Sequence, residues 1–430
     1  MRTLHAQPVQ TEMVGTKYLS AVTAITPSLN PFRVLVTHRN FRRFWIGQTL
    51  SLIGTWMQSM GQGWLALQLS NSAFVVGLVA AAGSLPILLF SLYAGVVVDR
   101  SDKLRLVKIA QGLLLLEAAA LWWFTWSGQI TIPLLVVLAL LSGVVGSLEI
   151  PARQSLMIDL VGRDDLRDAI ALNSSGFNLA RIIGPSFGAL IVANFGLAWC
   201  FGVNTLSYLT VLIGLATITL PPHVRVPVTQ SPWSGMRDGL RYVGRNRPVR
   251  ALVEMVAVFS VLGIPYLALM PVYARDQLGL GAGGYGLLLS SVGVGGLAGA
   301  LGLAAVGPRI RRGRLLTLSS LGYAACLIAV AVVRRSGMAV PLLLVTGCLM
   351  IVTNALANGL LQALVPDEYR GRLMSIYSLI AVGLPQVVGA FGAGAIARAV
   401  GVDWAIGATA TVMLLYGVWA FRRYPEIRRI

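Results

Sequence analysis

Three glutamates and one arginine lie within stretches of sequence that are otherwise oily: Glu117, Glu149, Glu254 and Arg181. A charge inside an apolar span is unfavourable by roughly 2.5–3.5 kcal/mol on the insertion scale, so each is a functional candidate. A carboxyl in such a setting can take up and give back a proton. Glu149 can equally pair with Arg153, one helical turn on, and Glu254 can snorkel to water from the end of its stretch. Ser174, Asn178 and Arg181 recur at spacings that make one helical stripe. Arg181 falls about 12 residues into its run, roughly 18 Å at the helical rise. It is either an internal tie to Glu149 or a backbone carbonyl, or a seat for an anionic substrate or a proton-carrying carboxylate.

Further helical stripes run through Ser51, Thr55, Gln58 and Gln62; Ser142, Gly146, Glu149 and Arg153; and Asn354, Asn358 and Gln362. Such faces either bond helix to helix or line a wet passage. Trp56, Trp64 and Tyr266 suit an apolar wall or plain packing. Nothing points to an enzyme, a cofactor or a metal. His5, His38 and His223 lie outside the apolar runs without paired ligands, and Cys200, Cys326 and Cys348 lie inside them without metal spacing. GAGGYG (281–286) fits a dinucleotide fingerprint but follows no strand, and no phosphate-binding lysine loop occurs.

The elements that must position these residues are membrane spans. The chain of 430 residues is 56% hydrophobic and 12% charged, where a soluble chain has about 25% charged residues. Many runs reach about 20 residues, enough for roughly 30 Å of hydrocarbon. We read twelve spans: 43–68, 74–98, 106–125, 131–151, 169–193, 197–220, 250–274, 285–306, 315–333, 338–361, 373–397 and 403–421. Residues 1–38 lack the compact apolar core of a signal peptide, so the first span serves as its own insertion signal. With the termini in the cytoplasm, the Lys and Arg residues fall on the inner side, except for Arg275, Arg334, Arg335, Arg398 and the intraspan Arg181. That bias sets both termini inside. The net charge of +18 is thus spread over short loops, which argues against nucleic acid.

The two halves resemble each other. LVGRDDLRDAIALNS (160–174) matches LVPDEYRGRLMSIYS (364–378), and RIIGPSFGALI (181–191) matches QVVGAFGAGAI (386–396). A repeat of six helices suggests a transporter with its site between the halves. The expected divisions are a cytoplasmic arm (1–40), a first bundle (41–220), a linker (221–249), a second bundle (250–421) and a basic tail (422–430). In the linker, Trp233, Met236, Leu240 and Val243 share one face of a helix and Arg237, Arg241 and Arg245 another, which suits a helix lying on the cytoplasmic leaflet.

A dense charged knot, GVVVDRSDKLR (95–105), separates the second and third spans. Together with FRRFWIGQTLSLIGTWMQ (41–58), EIPARQSLM (149–157), LNSSGFNLARIIGPSFGALI (172–191), CFGVNTLSYL (200–209), LMPVYARDQLG (269–279), GYGLL (284–288) and VPDEYRGRLMSIYSL (365–379), it resembles the major facilitator superfamily. Within that superfamily the likeness is to the bacterial branch of enterobactin-exporter-like and drug-efflux-like proteins, the transmembrane secretion effector type.

The resemblance implies an all-α membrane protein of twelve transmembrane helices in two pseudo-symmetric six-helix bundles. It implies that Gly95, Asp99, Arg100, Lys103 and Arg105 form the signature loop, with the acid contacting the start of helix 11 near Gly371 and Arg153 at the end of helix 4. Asp99 would latch the halves on the cytoplasmic side, since an aspartate is favoured at a helix N-terminus and beside a guanidinium. Asp102 is a weaker candidate for the same contact. Gly184, Pro185 and Gly188 fit close packing and bending of helix 5. Helices 1, 4, 7 and 10 would line the cavity, placing Thr55, Gln58, Gln62, Tyr266, Asn354, Asn358 and Gln362 there, with Asn178 beside them. Helix 3 is peripheral in the superfamily, so the proton-carrier order is Glu149, then Glu254, then Glu117, with Arg181 as a partner.

The function expected is proton-driven export of amphipathic small molecules such as siderophores or drugs by a rocker switch. The partners would be the small-molecule substrate, protons and the bilayer, the protein a monomer, and the location the bacterial inner membrane. An importer of a small metabolite and a non-transporting sensor or scaffold are the alternatives.

Overall fold

The computed structural model describes residues 32–220, 232–306 and 311–426. Their regular structure is helical throughout. After a short turn of helix come α1 (Arg39–Ser70), α2 (Ala73–Arg100), α3 (Lys103–Trp126), α4 (Ile132–Val161), α5 (Leu166–Phe195) and α6 (Ala198–Ala216). A connecting helix (Pro232–Arg245) leads to α7 (Arg247–Gly263, continued by Tyr266–Val272 and a π-turn, Tyr273–Gln277). Then follow α8 (Ala282–Val306), α9 (Arg312–Val332) and α10 (Ser336–Leu364). In α11, Asp367–Ser378 continues through π-turns Leu379–Gly383 and Pro385–Gly389 into Ala390–Val400, and α12 is Val402–Arg423.

Among the described residues, ten helices are long and apolar enough to cross a membrane. The two long helices outside that set are α1 and α3, the ones interrupted by polar and charged side chains such as Gln48, Gln58, Lys108, Gln111 and Glu117.

Helix ends follow local chemistry. The Asp102 carboxylate accepts from the Arg105 backbone N–H at 3.0 Å and caps α3, and Asn246 accepts from Val249 N–H and caps α7. Asn71 ends α1 at φ 53°, in the left-handed region that asparagine tolerates.

Packing falls into two neighbourhoods. In the first half α2 lies on α4, α1 on α5 and α6, and α3 on α4 and α6; in the second, α8 lies on α10, and α9 on α10 and α12. The halves meet chiefly through two helix pairs, α5 with α8 and α2 with α11. Both pairs approach closely because they carry glycine. A Cβ on Gly286 would stand 2.6 Å from the Pro185 carbonyl oxygen, and one on Gly77 2.5 Å from that of Ala390. Ser186 and Ser290 share a hydrogen bond of 2.6 Å, Trp64 stacks on Tyr285 at 5.9 Å, and Phe74 meets Phe391 edge-on at 5.2 Å. These contacts run from mid-span toward the end away from Arg39 and Arg423.

Candidate functional site

At the loop between α2 and α3, most of the charged knot is occupied within the first half. Asp102 is spent as a cap, and Lys103 donates to Asp159 on α4 at 3.0 Å. Arg100 ends α2 exposed, and Gly95 has open space where a side chain would stand. The Asp99 side chain lies outside the described residues, so the latch expected of it is not placed. Its expected partner Arg153 donates through Nε to Glu149 Oε1 at 2.9 Å, both side chains buried.

At the start of α11, Gly371 is exposed with free space around it, and the neighbouring residues hold the connecting helix. Tyr242 stacks on Tyr369 at 4.6 Å, Arg372 lies 3.5 Å from Asp238, and a Cβ on Gly239 would meet Ile376 at 2.8 Å. The amphipathic helix is therefore docked on α11, with Val243 buried and Leu240 outward.

The three acids have unlike surroundings. Glu149 receives both Arg153 and the Gln111 side-chain amide, the latter at 3.0 Å. Its carboxylate is thus matched by a guanidinium and a second donor. Glu254 sits half-exposed at the helix end, 3.5 Å from Arg250 and 3.0 Å from the Tyr424 hydroxyl that donates to it.

Glu117 differs from both. It is buried, and its only hydrogen-bond partner among the described residues is the Gln58 amide, which donates to its two oxygens at 3.0 and 3.4 Å. Gln58 in turn accepts from Asn204 at 2.7 Å, and Asn204 accepts from Ser207 at 2.9 Å. No Lys or Arg among the described residues lies within salt-bridge distance of Glu117. A carboxylate held only by a neutral amide in a dry interior is strongly disfavoured as the anion. Thr55, exposed on α1, shares a hydrogen bond of 3.3 Å with Tyr208, whose ring is buried beside this network.

Arg181 is half-buried at mid-span and makes no hydrogen bond or ion pair among the described residues; its Nε is shut off from solvent without a partner. It is not tied to Glu149, whose donors are Arg153 and Gln111. Tyr266 on α7 lies within its electrostatic reach. The hydroxyls of Tyr266 and Tyr323 and the amide nitrogen of Gln62 are also buried without partners.

The rest of the expected polar wall bonds along its own helices. Asn178 donates to the Ser174 carbonyl, Asn354 to that of Met350, and Gln362 to the Asn358 side chain. Gly184, Pro185 and Gly188 are buried, the two glycines against α1: a Cβ on Gly184 would stand 2.7 Å from the Ile53 carbonyl oxygen, and one on Gly188 2.9 Å from Met57. Trp56 meets Phe177 edge-on at 5.7 Å.

Sequence reasoning missed Asn204, Tyr208, Gln111 and Tyr323. The available signal was the same as for Glu117, namely a polar side chain inside an apolar run.

A bundle of long apolar helices with ionisable groups sealed between them is the architecture of a membrane transporter. It is similar to the inward-facing, occupied bacterial homologue of the human lysosomal transporter Spinster, at a TM-score of 0.71 and 14% identity over 93% of this chain and 99% of that one. The nucleoside transporter NupG aligns at a TM-score of 0.67 and 13% identity, over 90% of this chain and 98% of that one. Those likenesses concern the fold alone.

The profile of the transmembrane secretion effector family matches residues 26–428, and the chain belongs to that family, within the major facilitator superfamily. Related proteins include the multidrug efflux pump Tap of Mycolicibacterium fortuitum, 29% identical over 85% of this chain and 91% of that protein. The staphyloferrin A transporter of Staphylococcus aureus is 26% identical over 67% of this chain and 72% of its own. The enterobactin exporter EntS of Escherichia coli is 25% identical over 80% and 82%.

Proposed function

We propose that the protein is a proton-coupled exporter of amphipathic small molecules, of the siderophore or drug kind its relatives are named for, acting by alternating access in the inner membrane. In this reading twelve helices, α1 to α12, cross the bilayer as two six-helix bundles, residues 41–220 and 250–421, joined by the linker 221–249. The arm 1–40, the linker and the tail 422–430 face the cytoplasm, and the working unit is a monomer.

The observation that carries the reading is how the halves pair. Exchanging each helix of one half for its counterpart in the other turns the α5–α8 pair into α11–α2, and these are the two principal pairs between the halves. Two such seams are what a rocking motion about a central axis requires. Their contacts cluster from mid-span outward, while exposed Ser174, Ser175 and Gln362 lie on the side of the termini. That distribution supports a passage open toward the cytoplasm, with the Asp99 knot poised to close it in the opposite state.

Among the acids, Glu117 best fits the proton carrier. It lacks a cation, so holding a proton is its favoured state when sealed, and losing that proton requires water or a shift of Gln58 on α1. Glu149 is offset by Arg153, and Glu254 lies at the bundle's end. The test is accumulation of siderophores and drugs by everted membrane vesicles with an acidic interior. Accumulation that disappears when nigericin collapses the pH gradient is expected; gradient-independent accumulation removes the coupling, and none across the panel removes the exporter.

A further inference from the structure

Mid-span, at the seam between the halves, stands a group of hydrogen-bond donors with nothing to donate to. Arg181 Nε, the Tyr266 hydroxyl and the Tyr323 hydroxyl are all buried without partners among the described residues. Tyr266 is 3% exposed and Tyr323 2%, so water does not serve them from bulk. The Tyr323 hydroxyl of α9 would stand 3.1 Å from a Cβ on Gly263, one turn before Tyr266 on α7, and Tyr266 in turn lies within electrostatic reach of Arg181 on α5. Buried polar groups are nearly always satisfied, and a buried unpaired cation is more costly than a neutral group.

The backbone makes room for this arrangement. A Cβ on Gly296 of α8 would stand 2.7 Å from Arg181 Nη2, so the guanidinium reaches the second half at this glycine. Beside it Phe177, one turn earlier on α5, meets Trp56. The seat thus joins a cation and two hydroxyls to an aromatic edge. No carboxylate among the described residues pairs with Arg181, so the complement it lacks is an anionic oxygen.

We infer that Arg181, Tyr266 and Tyr323 form a ligand seat selective for amphipathic organic anions, whose carboxylate or comparable oxyanion accepts from the guanidinium and phenols while the apolar body lies along Trp56 and Phe177. The inference rests on the exporter reading and narrows it. The relatives include both a drug efflux pump and siderophore transporters, and this seat favours oxyanion-bearing molecules over cationic ones. An arginine fork suits a planar oxyanion, and a lipophilic cation would be repelled.

The test is direct binding to the purified full chain in nanodiscs, followed by tryptophan fluorescence, with three matched probes: 1-naphthoate, 1-naphthamide and 1-naphthylmethylammonium. The wild type is expected to bind naphthoate at least about tenfold more tightly than the other two. Arg181→Met should bring naphthoate within about twofold of naphthamide while naphthamide binding persists, which also reports that the variant is folded. Arg181→Lys should retain part of the preference, and Tyr266→Phe and Gly296→Ala should each weaken naphthoate several-fold, roughly as the loss of one charged-group hydrogen bond does.

Equal or tighter binding of the ammonium probe, an anion preference that survives Arg181→Met, or no naphthoate binding by the wild type overturns the proposal. Nanodiscs of phosphatidylcholine, with and without phosphatidylglycerol, separate a soluble anion from a lipid headgroup. Displacement of naphthoate by the anionic lipid would assign the seat to lipid and overturn the substrate reading. Export by everted vesicles is scored separately. Vesicles that export without any anion preference in binding remove the seat and keep the exporter; the converse keeps the seat and removes the exporter.

Discussion

The two halves share a helix pattern but not a chemistry. The first half buries Glu117, Glu149 and Arg153 between its helices and carries half-buried Arg181 at the seam. The second half bonds its interior with hydroxyls, as where Thr353 donates to Ser319 at 3.0 Å, and keeps its acids at helix ends: Glu254 near Arg250, Asp276 beside Arg275, and Asp403 facing Arg334 at 2.9 Å. It also contributes the irregular backbone. All three π-turns among the described residues, Tyr273–Gln277, Leu379–Gly383 and Pro385–Gly389, lie in α7 and α11. Such turns cluster at sites of function because they loosen the helical ladder. A repeat can thus keep its packing and divide its labour, with the first half handling charge and the second supplying hinges and an uncharged wall.

The strongest way to break this comparison is to neutralise Glu117. Glu117→Gln should lower gradient-driven accumulation in everted vesicles by tenfold or more, equivalent to at least about 1.4 kcal/mol of coupling. The folded protein should lose no stability, because an amide preserves the shape without a charge to bury. The matching change in the second half, Ser319→Ala with Thr353→Ala, should leave accumulation within about twofold. If the pair of alanines stops proton coupling and the glutamine does not, the division of labour is reversed.

Glu149 separates structure from coupling. Arg153→Met leaves a buried carboxylate without its cation, and Glu149→Gln leaves a buried guanidinium without its anion. Either should lower stability in detergent by about 3–5 kcal/mol, and the double variant should recover most of it. Unfolding of the purified variants monitored by tryptophan fluorescence reads this directly. Gradient-driven transport that vanishes in a stable Glu149→Gln protein would move the proton carrier from Glu117 to Glu149.

These acids mark what the sequence could and could not disclose. The Glu149–Arg153 tie is visible as a four-residue spacing on one helix, and the stripe through Arg181 as spacings of four and three. Glu117 ranks last from sequence because helix 3 is peripheral in the superfamily, yet its partner Gln58 comes from 59 residues earlier, a separation no periodicity encodes. The same holds for Arg181: its isolation is a fact about what fails to approach it, and only three dimensions can show that. Helix order was legible because charged loops and apolar runs alternate. The cover over the connecting helix was not, since an amphipathic pattern tells which face is apolar and leaves open whether lipid or α11 meets it.

A smaller effect probes the charged knot. Asp99→Asn should slow export several-fold while expression is unchanged, if that acid clasps the halves when the cytoplasmic side closes. Its counterpart knot after α8, GPRIRRGRL (307–315), has no acid and lies partly outside the described residues, so Arg311→Gln should change export less than Asp99→Asn does. Equal effects from both would point to general anchoring of loops by charge and would erase the asymmetry at this level.

The smallest expected effect lies where the halves are joined. Asp238 lies 3.5 Å from Arg372 and 3.7 Å from Arg241, and these side chains are substantially exposed. Ion pairs of this kind contribute about 0–1 kcal/mol, so Asp238→Ala should barely change unfolding. The stacked Tyr242–Tyr369 pair and the tight fit at Gly239 hold the docking more firmly. Gly239→Val should therefore push the connecting helix from α11 and speed limited proteolysis of the linker, whereas Asp238→Ala should not. If the linker is cleaved at the wild-type rate in both, the helix rides on the membrane surface as its pattern alone suggests, and it would not move with the second half as one body.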